Sequence, residues 1–171
     1  MKKAIYLLMC AGVLLFASSC EKDKIGETAT KALAGEWNVT VDAVDQSGTV
    51  LEKDVYGTGY MMLYTYNTAA NVPSEMYIDD QGNFWEYKVK VKSDVNALTF
   101  KTEGAVGNEY YDCKVTIEEG KILPGAAITP SGVPADSVVF YVTFSDDDYI
   151  PGTYAKLKVA GYRYTGLAAD N

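Results

Sequence analysis

The sequence predicts an all-β fold, a single antiparallel domain whose strands each keep one buried and one wet face. Three observations carry this. From Ala34 onward, apolar and polar residues alternate with period two in run after run. Clusters of Asp, Asn, Ser and Gly separate the runs, as hairpin turns require. No long segment beyond residue 34 shows the 3.6-residue spacing of an amphipathic helix.

In Trp37-Val39-Val41 the apolar residues alternate with Glu36, Asn38, Thr40 and Asp42. Trp85-Tyr87-Val89-Val91 alternates with Glu86, Lys88, Lys90 and Lys92, and Tyr111-Cys113-Val115-Ile117 with Asp112, Lys114, Thr116 and Glu118. Leu157 and Val159 repeat the pattern against Lys156 and Lys158. Val50–Tyr56, Tyr60–Tyr66, Glu75–Ile78, Ala97–Thr102 and Val138–Phe144 supply the remaining runs. Turns are expected at Asp45–Gly48, Asp79–Asn83 and Glu119–Lys121. The total is nine or ten strands, with a short helical turn around Thr30–Leu33. Half-buried antiparallel strands in this number form a sandwich or a closed barrel.

Leu123–Asp136 breaks the rhythm. Its three prolines and two glycines argue against a central strand, so a long loop is expected there. Such a loop serves either as a lid or binding loop or as a passive crossover.

The N-terminus reads as an address. Lys2 and Lys3 precede an apolar run, Ala4 to Ala17, which is too short for the roughly 20 residues of a membrane span. Small residues then lead into a cysteine, Ala17-Ser18-Ser19-Cys20. The segment resembles a bacterial lipoprotein signal, which implies cleavage before Cys20 and acylation of its thiol. The expected organisation is therefore a signal peptide over 1–19, the lipidated cysteine and a flexible tether over 20–33, and the β-domain over 34–171. The charged residues Glu21–Lys24 suit a plain spacer and equally resemble a surface-export signal. The expected location is the bacterial envelope, lipid-anchored, at the outer membrane.

Composition excludes several chemistries. The chain has 171 residues, a formal net charge of −8, no histidine, one arginine, 14 tyrosines and three cysteines. Without histidine there is no Ser-His-Asp or Cys-His nucleophile and no His-ligated zinc. Loss of residues 1–19 removes two lysines and no acid, which moves the charge to −10. So acidic a domain does not bind nucleic acid phosphates. Cys113 is then the one free thiol, so no internal disulfide can form. Asp146-Asp147-Asp148 and Asp79–Asn83 match no calcium-loop spacing and read as solvated turns. No metal or cofactor is expected. Most acids fall at outward strand positions or in turns, so no catalytic residue is assigned.

Two motifs narrow the architecture. The first strand opens Gly35-Glu36-Trp37, and the last carries Gly161-Tyr162-Arg163-Tyr164-Thr165-Gly166, with the sole arginine of the chain. This resembles lipocalin-like barrels, in which the indole of a Gly-x-Trp plugs the barrel floor and an arginine of the last strand packs over it. A guanidinium over an indole gains a cation–π interaction. Trp37 and Arg163 are accordingly the expected barrel closure. The mature chain further resembles a family of gut-bacterial lipoproteins called lipid-binding putative hydrolases. That resemblance implies an exported lipocalin-like β-barrel holding an apolar molecule. It offers no catalytic set to carry over.

The leading expectation is a non-catalytic module that binds an apolar or amphipathic, lipid-like ligand within the barrel. Its candidate lining residues are the inward faces: Trp85, Tyr87, Val89, Tyr111, Val115, Phe140, Val142 and Leu157. Cys113 is expected inward, as a small hydrophobe. Its partners are the membrane, through Cys20, and a lipid-like small molecule. The alternative is a cell-surface structural or glycan-binding accessory module with a filled core and an exposed aromatic patch. The Tyr60–Tyr66 run, dense in tyrosine and methionine, suits amphipathic ligands or sugar faces as well as core packing. A hydrolase ranks third.

Overall fold

The computed structural model describes residues 26–148 and 154–170. Cys20, the expected signal segment and the first part of the tether lie outside them. Ten strands follow in order: β1 (Gly35–Val44), β2 (Val50–Glu52), β3 (Met61–Asn67), β4 (Glu75–Asp79), β5 (Lys88–Asp94), β6 (Thr99–Lys101), β7 (Val106–Gly107), β8 (Lys114–Ile128), β9 (Pro134–Phe144) and β10 (Lys156–Arg163). No α-helix occurs among the described residues, and Ala168–Asp170 form one 3-10 turn.

Eight strands close into an antiparallel barrel, in the order β1-β3-β4-β5-β6-β8-β9-β10 and back to β1. Closure comes from β1 and β10, in register from Trp37 opposite Arg163 to Val44 opposite Lys156. The short strands β2 and β7 attach to β1 and β8 outside the ring. A closed ring leaves no unpaired edge in its wall. The period-two pattern sets the register: Val39, Val41, Leu63, Met76, Ile78, Val89 and Val91 point inward and are buried, while the lysines between them stay outside.

The ring has two unlike ends. At the floor, the chain enters through a turn over Ala29–Leu33 and Leu33 is buried. The Trp37 indole fills the space above it and donates from Nε1 to Thr65 Oγ1 at 2.9 Å. The Arg163 guanidinium covers that ring, donates to Ala34 O at 2.9 Å and pairs with Asp136 at 3.1 Å. Gly35 makes room for it, since a Cβ there would lie 2.3 Å from Arg163 Nη1. The opposite end is covered by the loops after β1, β4, β7 and β9.

Several sequence expectations are corrected. Leu123–Asp136 is not a loop. It forms the outer part of the β8–β9 hairpin, with Ala127 opposite Ala135 and Ile128 opposite Pro134 around a turn at 129–133. The prolines are tolerated because this two-stranded extension lies beyond the ring and a register shift absorbs Pro124–Ala126. Glu119–Lys121 is not a turn between strands but a bulge within β8, where Glu119 has φ 52° and Gly120 packs against Phe100. Val50–Tyr56 is a strand only over Val50–Glu52. The runs beginning at Trp85 and Tyr111 become strands only from Lys88 and Lys114, because the preceding residues belong to irregular loops.

Candidate functional site

The end of the barrel away from Trp37 is closed by aromatic side chains carried on loops. Its geometry begins with Asp80, which is almost fully buried. One carboxylate oxygen accepts from the amides of Phe84 at 3.0 Å, Trp85 at 2.7 Å and Glu86 at 3.0 Å. The other accepts from Gly82 at 3.0 Å and Tyr87 at 2.8 Å. Five amide donors converging on one carboxylate wind the β4–β5 connection into a compact loop. Gln81 and Glu86 adopt left-handed φ values of 49° and 52°, a strain that these charge-assisted bonds offset.

That loop delivers Phe84 and Trp85 to the barrel mouth. The Trp85 indole stacks on Phe144, with centroids 4.7 Å apart and planes at 12°. Tyr56 meets Phe84 at 5.1 Å and Trp85 at 5.7 Å, and its hydroxyl lies 3.0 Å from that of Tyr154. Asp146 anchors the rim. Its carboxylate accepts from Trp85 Nε1 at 3.2 Å, Tyr111 Oη at 2.7 Å and Cys113 Sγ at 3.0 Å. Burial raises the Asp146 pKa, but these donors prevail and hold it below the usual carboxylate range. Burial, and then the hydrogen bond to Asp146, push Tyr111 up.

The candidate lining residues divide. Tyr87, Val89, Val115, Phe140, Val142 and Leu157 are fully buried inside the ring. Trp85 is half-buried at the mouth. Tyr111 is corrected: it stands exposed outside the barrel, because the chain is irregular before Lys114 and the alternation does not extend back to it. Cys113 is buried in the core, yet its Sγ reaches Asp146. Below the aromatic cover, the space bounded by Val39, Met61, Leu63, Phe84, Tyr87 and Val159 amounts to about 10 Å³. That is about the minimum that holds one water. The inward side chains thus occupy this part of the interior, as an eight-stranded ring allows.

The acids are not all at wet positions either. Asp79, Asp80 and Asp170 are buried, which the strand pattern did not reveal. Asp79 accepts from Tyr66 Oη at 2.6 Å and Tyr110 Oη at 2.8 Å. Asp80 is saturated by amides, so neither is poised over an open cleft as a glycosidase pair requires. Among the described residues, no group of three or more Cys, Asp or Glu is placed to hold a metal ion.

A second concavity lies outside the wall. Glu36, Asn38, Tyr60, Met62, Tyr64 and Tyr164 line an open groove of about 460 Å³ across β1 and β3. Tyr60 packs edge-on against Tyr162 at 5.3 Å. The aromatic run read in the sequence at Tyr60–Tyr66 thus sends Leu63 and Thr65 into the core and its tyrosines outward.

The model of the lipid-binding putative hydrolase family matches residues 22–168. The chain belongs to that family. No curated protein matches it. The match begins just after Cys20 and ends within the closing turn, so all ten strands of this lipid-binding putative hydrolase lie inside it. What sequence reasoning missed is Asp80. The signal available was Asp80-Gln81-Gly82 followed by Phe84-Trp85, an Asx turn next to two large aromatics that a turn alone does not need.

Proposed function

We propose that this protein is an exported, lipid-anchored and non-catalytic binding module that admits an apolar or amphipathic, lipid-like molecule at the aromatic end of its barrel. One observation carries the reading. The apolar interior is sealed at the floor by Trp37 and Arg163, whereas the far end is covered by half-buried rings on loops. Membership of a lipid-binding family agrees with it. Since the space bounded by Val39, Met61, Leu63, Phe84 and Tyr87 is nearly filled, entry there requires Phe84, Trp85 and Tyr56 to swing aside and the acyl chain to replace their contacts. Anchoring rests on the sequence around Cys20, with the outer membrane as the expected site. The non-catalytic part rests on the missing histidine and on the engagement of the buried carboxylates.

The test is titration of the purified, delipidated protein with a fluorescent long-chain fatty acid. Saturable one-to-one binding is expected, with a change in Trp85 emission and tighter binding for Phe84→Ala. An absence of binding, together with a native mass spectrum free of lipid, would sink the barrel-ligand reading.

The outer groove favours a second reading, an accessory module that binds a glycan. Tyrosine faces stack on sugar rings, while Glu36 and Asn38 supply polar partners. In that case Tyr64→Ala weakens glycan binding and leaves fatty acid uptake unchanged.

A further inference from the structure

The exposed aliphatic side chains are not scattered. Among the described residues, the large aliphatics on the surface are Leu51, Val72, Leu123, Ile128, Val133 and Leu167. All but Leu51 lie at the Trp37 end. The β8–β9 extension is tied to that end through Arg163–Asp136 and through the Ser131 amide, which donates to Asp170 at 2.7 Å. Leu167 belongs to the turn that Asp170 closes. Val72 follows Asn71, whose side chain accepts from the Ala29 amide at 2.8 Å where the chain enters the barrel.

The segments that bear these aliphatics are uncharged, while Glu27, Lys31 and Asp94 are the exposed charges beside them. Residues 123–135 are 13 in a row without a charged side chain, and residues 68–74 carry none either. The one charge of the 164–170 turn, Asp170, is fully buried and bound to Ser131 and Thr165, which leaves Leu167, Ala168 and Ala169 outward. The far end instead carries Asp45, Glu52, Asp54, Glu109, Asp112 and Asp146. Exposed aliphatics gathered on uncharged loop segments at one end mark a contact with an apolar partner.

The tether says which partner. The first described contact to the barrel is at Ala29. Eight residues lie between it and Cys20, so the extended chain reaches at most about 30 Å. An acyl group on Cys20 therefore keeps the face from which the chain emerges close to the bilayer. We propose that this face is a membrane-docking surface, on which the β8–β9 tip and the C-terminal turn seat Ile128, Val133 and Leu167 in the headgroup–acyl boundary. Uncharged loops enter that region at low cost, while the acidic far end is held away from anionic lipid. Docking in this orientation turns the aromatic mouth toward the aqueous side.

This inference rests on the acylation of Cys20 proposed above, and the test separates the two. The mature protein carrying Cys113→Ser, with Ile128→Cys or Leu51→Cys, is labelled with a nitroxide and reconstituted in phosphatidylethanolamine–phosphatidylglycerol vesicles. Both labelled positions are exposed, at 66% and 53%, so neither label disturbs the core. The label at 128 is expected to be several-fold more accessible to oxygen than to a water-soluble nickel chelate, and the label at 51 the reverse. If 128 reads like 51, the docking face is wrong. If 128 is immobilised and shielded from both reagents, the face holds a protein, which also overturns the bilayer proposal. The intact mass of the same preparations reports acylation. Acylated protein with a water-exposed label at 128 overturns docking alone, whereas unacylated protein removes the anchor and the docking with it.

Discussion

The guanidinium carbon of Arg163 lies 4.3 Å from the centroid of the Trp37 ring, joining the last strand to the first at the barrel floor. The same side chain donates to Ala34 O and to Asp136. Arg163→Ala removes a partly buried cation–π contact and hydrogen bonds that serve the entering chain. It is expected to cost about 1–3 kcal/mol in urea unfolding. Arg163→Lys should recover only part of this, because an ammonium cannot cover the ring and serve Ala34 and Asp136 together. An unchanged midpoint for Arg163→Ala would show that the floor holds without the clamp.

Gly161 of β10 lies opposite Val39 of β1. A Cβ there would fall 1.8 Å from Asn38 O and 2.7 Å from Val39 Cα, both backbone atoms that the paired strands hold in place. Gly161→Ala is expected to destabilise by about 3 kcal/mol or more, since the closing ladder itself must shift. A wild-type melting curve for this variant would refute the tight β1–β10 closure.

Asp80 organises the loop that carries Phe84 and Trp85. Asp80→Ala leaves five amides without their acceptor and should loosen residues 82–87 while the ring persists. Hydrogen exchange is the measurement. Amides of Phe84–Tyr87 are expected to lose protection in the variant, with the inner positions of β1 and β10 unchanged. The loss should exceed about 2 kcal/mol in local opening energy, because the bonds are charge-assisted. Protection equal to wild type would mean the loop is held by its aromatic contacts instead.

Alkaline pH probes the Asp79 pair. Burial and the hydrogen bond to Asp79 push Tyr110 up to about 12, and the same causes push Tyr66 up further. In the unfolded chain both ionise near the ordinary tyrosine value of about 10. Between those limits the folded state holds more protons than the unfolded one, so stability falls as pH rises from 10 to 12. The urea midpoint should decline across this window, and Asp79→Asn should lessen the decline. A midpoint independent of pH over this window would contradict it.

How much was legible beforehand follows from the physics of each signal. Alternation is local, so the runs around Val39, Val89 and Val142 read correctly as strands with inward faces. It fails where a loop happens to alternate, as at Tyr111, which is exposed and bound to Asp146 through its hydroxyl. Proline content misplaced 123–136, because the rule against proline applies to strands flanked on both sides, and this hairpin leaves the ring. Asp80 was hidden because a carboxylate that gathers backbone amides has no partner in the side-chain sequence.

The sequence by itself determined the all-β class and the absence of histidine chemistry, which are properties of composition and of short spacings. The pairing of Gly35-Glu36-Trp37 with the lone arginine near the end came from the resemblance to lipocalin-like barrels. Only the tertiary structure decided that eight strands close, that the void between Met61, Phe84 and Tyr87 is nearly filled, that tyrosines of β3 line an outer groove and that uncharged turns collect at the tether end. Each of these depends on which distant segments meet. Alternation says that a residue faces inward, but whether the space there is filled depends on the volumes contributed by seven other strands.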